Sequence, residues 1–334
     1  MILVTGATGM LGGHLIRELL RENSEVAAIK RKSSETQSLK SIFGFYGDDV
    51  EDLYNRITWI EADVEDYYAL CKAFEGIKYV YHCAARVNLG KNDNKMFEVN
   101  VGGTKKVVDA ALINKVRKLC FVSSIAALSD GNGQNEIDEE TPAVHNNTNT
   151  LYGESKRLAE LEIKKGIDKG LDSVIVNPGV ILGYSKEMKG SGVLFERVKK
   201  GMPFYTNGLT GYVAVQDVAK AMILLMKSDI SDERYVLTAE NCLHKDVLRW
   251  MAKGYDVMRP FIGMNRSLPV IACMLEFLGK LFGFTPIIDR STARVAISKK
   301  SYSSQKFLSV FPDFKFSDIR DTIIQIGEFD KNAT

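Results

Sequence analysis

A glycine-rich segment near the first residue constrains the fold of this chain more than any other feature. The stretch "ILVTGATGMLGGHL" passes from an apolar run, typical of a buried strand, through Gly6, Gly9 and Gly12 into a segment with helical periodicity. Glycines at such a turn allow a tight bend and a close approach of the backbone to a ligand. The helix start beyond them offers free N–H groups and a partial positive charge, which suit a pyrophosphate. The segment therefore predicts a strand–turn–helix unit that binds a dinucleotide. The residues expected along its turn are Gly6, Thr8, Gly9, Met10, Leu11 and Gly12.

The first 180 residues alternate short β-branched runs with amphipathic helical stretches. Strands are expected at 2–5, 25–29, 57–61, 79–83, 119–123 and 173–177, and helices at 11–21, 67–74, 95–114 and 152–169. Several of these strands are almost wholly apolar, which is typical of a parallel sheet covered by helices on both faces. The alternation predicts an α/β fold with a Rossmann-type doubly wound parallel sheet.

The pattern changes after Pro178, where the alternation loosens, and from His244 onward it is mostly helical. We interpret this part as a smaller, mostly helical C-terminal substrate domain whose chain interleaves with the first domain. The dinucleotide-binding domain is expected at 1–180, with 212–238 returning to it. The substrate-binding domain is expected at 181–211 and 239–334. A partly charged insertion at 32–56 interrupts the first domain.

Composition argues against several classes of protein. The 44 basic and 42 acidic residues are mixed along the chain, without the basic stripe expected of a nucleic-acid binder. The five cysteines contain no C-x-x-C pair, which indicates reduced thiols rather than disulfides or a metal site. No basic and apolar leader precedes the first strand, which indicates a cytoplasmic protein.

The apolar stretch 268–284, "LPVIACMLEFLGKLFGF", could be taken for a membrane segment. As a helix it would be roughly 25 Å long, shorter than the ~30 Å hydrocarbon core of a bilayer. It also contains Glu276 and Lys280, which can pair on one helix face. A core or lid helix is favoured, a helix on a membrane surface is the alternative, and no membrane span is expected.

The spacing Tyr-x-x-x-Lys occurs three times, beginning at Tyr68, Tyr152 and Tyr302. Spacing alone does not distinguish a catalytic pair from two residues that share a helix face. Only the copy at 152 follows a strand that ends in serines, "LCFVSSIAAL", with "FEVNVGGTKKVV" upstream. Tyr68 lies in a charged surface segment, and Tyr302 lies far along the chain from the glycine turn. The copy at 152 is therefore the candidate for chemistry.

This candidate pair has a plausible acid–base chemistry. A free tyrosine has a pKa near 10, so roughly 0.1% of it is ionised at neutral pH. Lys156, four residues on and on the same face, is expected to stabilise the phenolate of Tyr152 and to lower its pKa toward working pH. The hydroxyl of Ser124 is expected to hold the substrate oxygen, while Lys156 also reaches the nicotinamide ribose.

The end of the second strand bears on the identity of the dinucleotide. A cofactor with a free 2′-hydroxyl usually meets an acid there, whereas this chain has "VAAIKRKSS". A guanidinium can hold a 2′-phosphate with two hydrogen bonds and stack on adenine. Arg31, assisted by Lys32, therefore favours NADP over NAD. The alternative is that these cations are a solvated surface.

The motifs occur in an order that resembles the extended short-chain dehydrogenase/reductases, the superfamily of NAD-dependent epimerases and dehydratases. They are "TGATGMLG", "DV" at 63–64, "HCAA" at 82–85, "NVGGT" at 100–104, "SS" at 123–124, "YGESK" at 152–156 and "NPGVILG" at 177–183. The basic end of the second strand, "SSIAAL" and the tail "RYVLTAENCLHKDV" are similar to the branch of dihydroflavonol reductase, cinnamoyl-CoA reductase and 3β-hydroxysteroid dehydrogenase. In that branch hydride passes between nicotinamide and an alcohol, ketone or aldehyde of a fairly apolar substrate.

The resemblance also implies roles for individual residues. Tyr152 is the acid–base and Lys156 its partner, Ser124 rather than Ser123 orients the substrate, and Asn100 supports the relay. The remaining cofactor contacts would be Asp63 and Val64 at adenine, Ala84 and Ala85 along the dinucleotide, and Pro178, Gly179 and Val180 beside the nicotinamide. Family members are often dimers through helices that correspond to 95–114 and 152–169, so a homodimer is a further expectation.

Two alternatives stay open. A nucleotide-sugar epimerase or dehydratase with tightly bound NAD would share the fold, although such proteins often carry "VYGP" where this chain has "ILGY". A non-catalytic protein that senses NADP is the third hypothesis, against which stands the retained tyrosine–lysine pair. The substrate itself is not predicted. The candidate pocket walls are Val87, Asn88, His145, Val180, Phe204, Tyr205 and Tyr212.

Overall fold

The computed structural model describes residues 1–87, 94–129, 136–141, 150–187, 190–264 and 290–333, with residues 268, 270 and 273. The strands are β1 Ile2–Thr5, β2 Val26–Lys30, β3 Ile57–Glu61, β4 Tyr79–His82, β5 Lys118–Val122, β6 Glu136–Ile137, β7 Ser173–Pro178, β8 Val180–Leu182, β9 Phe204–Tyr205, β10 Leu209–Ala214, β11 Glu233–Leu237, β12 Glu240–Leu243, β13 Ile262–Gly263 and β14 Ser301–Tyr302. The helices are α1 Met10–Glu22, α2 Gln37–Phe45, α3 Val50–Asn55, α4 Tyr67–Ala73, α5 Asn94–Phe97, α6 Thr104–Ile113, α7 Leu151–Ile167, α8 Gly192–Lys199, α9 Val215–Lys227, α10 His244–Tyr255, α11 Arg290–Ile297, α12 Gln305–Val310 and α13 Ile319–Asn332.

Seven parallel strands form the central sheet in the order β11-β7-β5-β4-β1-β2-β3. The strand order reverses between β1 and β4, which is where open α/β sheets bind their ligands. Helices α1 and α9 pack on one face, and α4, α6 and α7 on the other, each closing an apolar core. The predicted Rossmann-type doubly wound sheet is confirmed.

The C-terminal part has its own apolar core. Strands β12, β10 and β8 form a small sheet, and helices α8, α10 and α13 pack with it. Among the described residues beyond β12 the chain is mostly helical, as the sequence predicts. Strand β11 returns to the central sheet and pairs in parallel with β7.

The insertion at 32–56 folds as α2 and α3 and is attached to α1. The guanidinium of Arg17 donates to Asp48, at 2.5 Å and 3.0 Å. His14 Nδ1 lies 2.8 Å from the hydroxyl of Tyr46, and Arg17 also covers the ring of Tyr46. The insertion is therefore fixed to the helix that follows the glycine turn.

The predicted helix at 95–114 is interrupted. Residues Glu98–Gly103 form a π-helical segment between α5 and α6. Such segments are rare and frequently occur at functional sites. This one carries Asn100.

No helix within the described ranges is long and apolar enough to cross a membrane. Most of the apolar stretch 268–284 lies outside the described residues. No disulfide joins cysteines in the part of the chain that the structure describes.

Candidate active site

The glycine turn has the geometry that a bound pyrophosphate needs. Gly6 has φ +68°, a conformation that favours glycine. A Cβ on Gly12 would lie 2.2 Å from the carbonyl oxygen of Gly6, and a Cβ on Gly6 would lie 2.6 Å from the backbone nitrogen of Ala84. Side chains at these positions would collide with backbone, so the turn can close only with glycine.

Helix α1 begins at the turn without a capping side chain. Its N-cap residue is Gly9, whose carbonyl accepts from Gly13 N–H at 2.9 Å. The turn is closed by Gly9 N–H, which donates to the Gly6 carbonyl at 3.0 Å. The first-turn N–H groups of Met10 and Leu11 are thus available to an anion. These features fit the phosphates of a dinucleotide.

The ends of β2 and β3 lie beside this turn. Arg31 and Lys32 follow β2 with exposed side chains, at the sheet edge where the adenosine end of a dinucleotide would lie. After β3, the carboxylate of Asp63 accepts from Glu65 N–H at 3.0 Å, and Val64 packs against Gly103. Two exposed cations with an adjoining acid could hold a phosphorylated ribose.

A buried chain of hydrogen bonds connects the ends of β1 and β4 to the π-helical segment. Thr104 Oγ1 donates to the Asn100 carbonyl at 2.6 Å, so it accepts from His82 Nε2 at 3.1 Å. His82 Nδ1 therefore accepts from the Thr5 hydroxyl at 2.7 Å, and Thr5 accepts from Ala84 N–H at 3.3 Å. Burial, with the nearby charge of Lys156, lowers the pKa of His82 to about 3. The neutral imidazole thus fixes the start of the Ala84–Ala85 loop.

Asn100 joins this loop to helix α7. Its amide oxygen accepts from Arg86 N–H at 2.7 Å, and its amide nitrogen donates to the Arg86 carbonyl at 3.0 Å. The same nitrogen donates to the hydroxyl of Ser155 at 2.9 Å. These bonds occupy both ends of the amide, so Asn100 reaches the residue before Lys156 rather than the lysine itself.

Tyr152 and Ser124 meet where α7 begins. Ser124 Oγ accepts from Ala126 N–H at 3.1 Å, and the Ser124 hydroxyl is near enough to the phenol of Tyr152 to act on its pKa. A Cβ on Gly153 would lie 2.1 Å from the Ala126 carbonyl oxygen, so the glycine after the tyrosine permits this approach. Burial raises the pKa of Tyr152 to about 12, and the Ser124 hydrogen bond opposes that rise.

Lys156 lies one helical turn below Tyr152 and is buried. Its ammonium donates to the Val122 carbonyl at 2.7 Å and lies 4.8 Å from the centre of the Phe121 ring. Burial lowers the pKa of Lys156 to about 8, against the opposing effects of Cys83 and Glu160. The expectation that Lys156 lowers the pKa of Tyr152 is wrong for this arrangement, because burial of the phenol outweighs every other influence on it.

The end of β7 closes the site. Gly179 N–H donates to the Leu237 carbonyl at 3.0 Å, and a Cβ on Gly179 would lie 2.6 Å from the Gly211 carbonyl oxygen. The chain passes from buried Pro178 to half-buried Val180, which begins β8. The close approach of Gly179 to Gly211 on β10 thus sets the direction in which Val180 leaves the sheet.

The other two Tyr-x-x-x-Lys copies lack such surroundings. Tyr68 is 85% exposed. Tyr302 lies in the short strand β14, and Lys306 forms an ion pair with Glu233 at 2.5 Å. Tyr302 is buried in an apolar cluster with Ile125 and Leu128.

Sequence inspection missed two polar residues at this site. Glu160 and Asn177 are buried and hydrogen-bond each other at 2.7 Å. The spacing of Glu160, four residues after Lys156, was the available signal, since such residues share a helix face. Asn177 gave no signal beyond its position at a strand end.

Of the expected pocket walls, Val87, Val180, Phe204 and Tyr205 are at least partly accessible. Tyr212 is 2% exposed and belongs to the core of the C-terminal part, so its placement in a pocket wall was wrong. Asn88 and His145 lie outside the described residues.

The fold and this site define an enzyme of the dinucleotide-dependent dehydrogenase and epimerase class. The sequence profile of the NAD dependent epimerase/dehydratase family matches residues 2–237. The chain belongs to that family.

Several known proteins are similar over most of the chain. "Sterol demethylase protein B" of Methylococcus capsulatus is 31% identical over 336 residues, which cover 98% of each chain. "Cinnamoyl-CoA reductase 1" of Petunia hybrida is 31% identical over 266 residues, 76% of this chain and 77% of that protein. The crystal structure of gox2253 superposes with a TM-score of 0.80 at 27% identity, covering 99% of this chain and 98% of that one. These relatives agree with the reductase and dehydrogenase branch.

Proposed function

We propose that this protein is an NADP-dependent oxidoreductase that transfers hydride between nicotinamide and a ketone, an aldehyde or a secondary alcohol of a fairly apolar small molecule. The observation that carries the proposal is the close approach of α7 at Gly153 to the Ser124–Ala126 turn, which brings the Tyr152 phenol and the Ser124 hydroxyl together. A hydroxyl and a phenol joined in this way can share one substrate oxygen.

The bound dinucleotide would supply or accept the hydride. In reduction, the carbonyl oxygen of the substrate would accept hydrogen bonds from Ser124 and Tyr152, and the phenol would deliver its proton as the alcohol forms. Ser124 is suited to donate, because its oxygen already accepts from Ala126 N–H. Lys156 would supply a buried positive charge below the phenol, and Asn100 would hold α7 against the Arg86 loop.

The cofactor contacts follow the path from the glycine turn to the end of β7. The turn residues Gly6 to Gly12 would bind the pyrophosphate, with Ala84 and Ala85 on the opposite side. Asp63 and Val64 would flank adenine. Pro178, Gly179 and Val180 would border the nicotinamide. The fit of the turn, where added Cβ atoms would collide with backbone, supports this path.

Arg31 and Lys32 would select NADP over NAD. Both are exposed and unpaired within the described residues, so they are free to meet a 2′-phosphate. Arg31→Ala is expected to weaken NADPH binding about 10- to 100-fold, because a bidentate charged contact is lost, and to leave NADH binding nearly unchanged.

Titration calorimetry of both dinucleotides measures this preference. Arg21→Ala is the matched control, since that arginine is exposed on the far end of α1. An unchanged ratio of the two affinities in Arg31→Ala would remove the assignment.

The acid–base role of Tyr152 has a direct test. Tyr152→Phe is expected to lower kcat at least about 1000-fold, because the proton donor is lost, while NADPH affinity stays within about threefold. NADPH absorbance with a panel of ketones and aldehydes measures turnover. Tyr68→Phe removes an exposed hydroxyl at the same spacing from a lysine and should behave as wild type.

The substrate is proposed to be apolar and to bind between the two parts of the chain. Residues 1–180 with 212–238 would bind the dinucleotide, and 181–211 with 239–334 would bind the substrate. Exposed Phe204 lies in the second part. The relative named sterol demethylase protein B supports a polycyclic alcohol, and the cinnamoyl-CoA reductase supports an aromatic thioester or aldehyde.

Nucleotide-sugar epimerisation is the second candidate, which the family description favours. Turnover assays with UDP- and GDP-sugars, run beside those with ketones and aldehydes, distinguish the two functions. Turnover of sugars alone would replace the oxidoreductase proposal. Binding of NADPH without turnover of any compound would favour a sensor.

We also propose a cytoplasmic homodimer that contacts through α6 and α7. Exposed Ile113 and Leu161 on these helices support that surface. Light scattering of the purified protein measures its mass.

A further inference from the structure

A buried polar cluster lies directly behind Ser124. Glu160 Oε1 accepts a hydrogen bond from the hydroxyl of Ser123 and one from Asn177 Nδ2, the latter at 2.7 Å. Asn177 Nδ2 also donates to the backbone carbonyl of Ser124 at 3.1 Å. Glu160 Oε2 lies 3.6 Å from the guanidinium of Arg234 on β11. We call Ser123, Glu160, Asn177 and Arg234 the Glu160 cluster.

This cluster joins the elements that carry the proposed chemistry. Glu160 stands on α7, the helix of Tyr152 and Lys156, whereas Ser123 follows β5 and Asn177 lies in β7. Glu160 is 4% exposed, and burial of a carboxylate costs free energy unless it is hydrogen-bonded. Its hydrogen bonds to the two strand ends offset that cost. Its bonds fix the distance between α7 and the Ser124 backbone.

We propose that Glu160 and Asn177 are positioning residues for hydride transfer: together they hold Ser124 against Tyr152, and the Glu160 carboxylate, buried on the same helix four residues beyond Lys156 and so on the same face, is that lysine's counter-ion. This inference rests on the proposed oxidoreductase function. Both side chains are buried behind Ser124, so both act through Ser124 and Lys156.

The electrostatic part depends on all groups that face Lys156. Cys83 and His82 face it from the end of β4, and Glu160 faces it from its own helix. The carboxylate of Glu160 raises the pKa of Lys156, in opposition to burial. Arg234 and Arg157 in turn face Glu160. Removal of the carboxylate charge should therefore make Lys156 lose its proton at lower pH.

Glu160→Gln is the decisive variant, because it keeps an acceptor oxygen and the side-chain volume and removes the charge. The pH at which kcat falls on the alkaline side is expected to move down by about one pH unit, a typical effect of one neighbouring charge. Glu162→Gln is the matched control, since Glu162 is on the same helix and pairs with Lys165 at the surface. A profile of Glu160→Gln that superposes on those of wild type and Glu162→Gln would overturn the counter-ion role.

Asn177→Ala tests the positioning of Ser124 separately. It is expected to lower kcat about 10- to 100-fold, because Ser124 is no longer held in its orientation. NADPH affinity is expected to stay within about threefold, and the pH profile is expected not to shift. Asn114→Ala, which removes an amide that bonds two backbone carbonyls away from the site, controls for general destabilisation. Wild-type kcat in Asn177→Ala, or an equal loss in Asn114→Ala, would overturn the positioning role. If Asn177→Ala does not fold, Asn177→Leu, which has a similar volume and cannot donate to the Ser124 carbonyl, takes its place with the same expected results.

The two proposals fail in different ways. A wild-type protein that reduces no carbonyl compound with either dinucleotide would contradict the oxidoreductase function. Wild-type turnover with unaffected Glu160→Gln and Asn177→Ala would contradict only the positioning inference.

Discussion

Two buried histidines, His82 and His14, have a measurable consequence for the stability of the fold. His82 and His14 are both about 1% exposed and held by hydrogen bonds on both ring nitrogens. Burial lowers the pKa of His82 to about 3 and that of His14 to about 4. Each folded-state pKa lies below the unfolded value of 6.5, so protons bind the unfolded chain more readily at acid pH.

The sign of this linkage predicts acid sensitivity. The stability that neutral His82 contributes is complete above pH 6.5 and declines as the pH falls toward 3. Between pH 7 and pH 5, the free energy of unfolding of wild type should fall by about 2 kcal/mol more than that of His82→Gln. Urea unfolding at the two pH values measures the difference. Equal losses in both proteins would show that His82 is not held neutral.

The residues around Tyr152 show which features of the site residue spacing predicts and which it does not. The sequence predicted which tyrosine meets a serine, because a strand end and a helix start lie close in this topology. It did not predict the direction of the Tyr152 pKa, since burial of a phenol depends on packing from several elements. It also gave no sign that the ammonium of Lys156 would bond a strand carbonyl.

At the scale of elements, the contact between α7 and the Ser124–Ala126 turn is closer than ordinary helix packing. Gly153 makes it possible, because a Cβ there would lie 2.1 Å from a backbone oxygen. Backbone atoms cannot move aside as the end of a flexible side chain can. A side chain at residue 153 would therefore push α7 away from this turn.

Gly153→Ala is expected to lower kcat about 100-fold while NADPH affinity stays within about threefold, because the phenol of Tyr152 is displaced from Ser124. Gly44→Ala is the control, since its added Cβ meets no atom within 4 Å and alanine favours a helix. Steady-state kinetics and a binding titration on both variants separate the effects. Full activity of Gly153→Ala would mean that the close approach is unimportant.

The strands of the central sheet were predictable because their apolar runs are covered by helices on both faces. The strand predicted at 25–29 is Val26–Lys30, and the helix predicted at 152–169 is Leu151–Ile167. The interruption of the helix at 95–114 was not predictable, since a π-helical turn leaves the apolar spacing nearly unchanged. The pairing of β6 with β14 was also not predictable, because it joins residues 137 and 302 through strands of only two residues.

At the scale of the whole molecule, the proposed machinery and the proposed pocket come from different parts of the chain. Ser124, Tyr152, Lys156 and the Glu160 cluster are held by the central sheet and α7. The accessible aromatic residues Phe204 and Tyr205 stand on β9, which pairs with β13 and not with that sheet.

This separation has an evolutionary consequence. Segments around β9 and β13 can diverge without disturbing the proposed proton delivery, so a lineage could acquire new substrates while the proposed hydride chemistry stays constant. Exchange of these two strands for those of a distant homologue should alter which carbonyl compound is preferred and leave the alkaline limb of the rate profile in place.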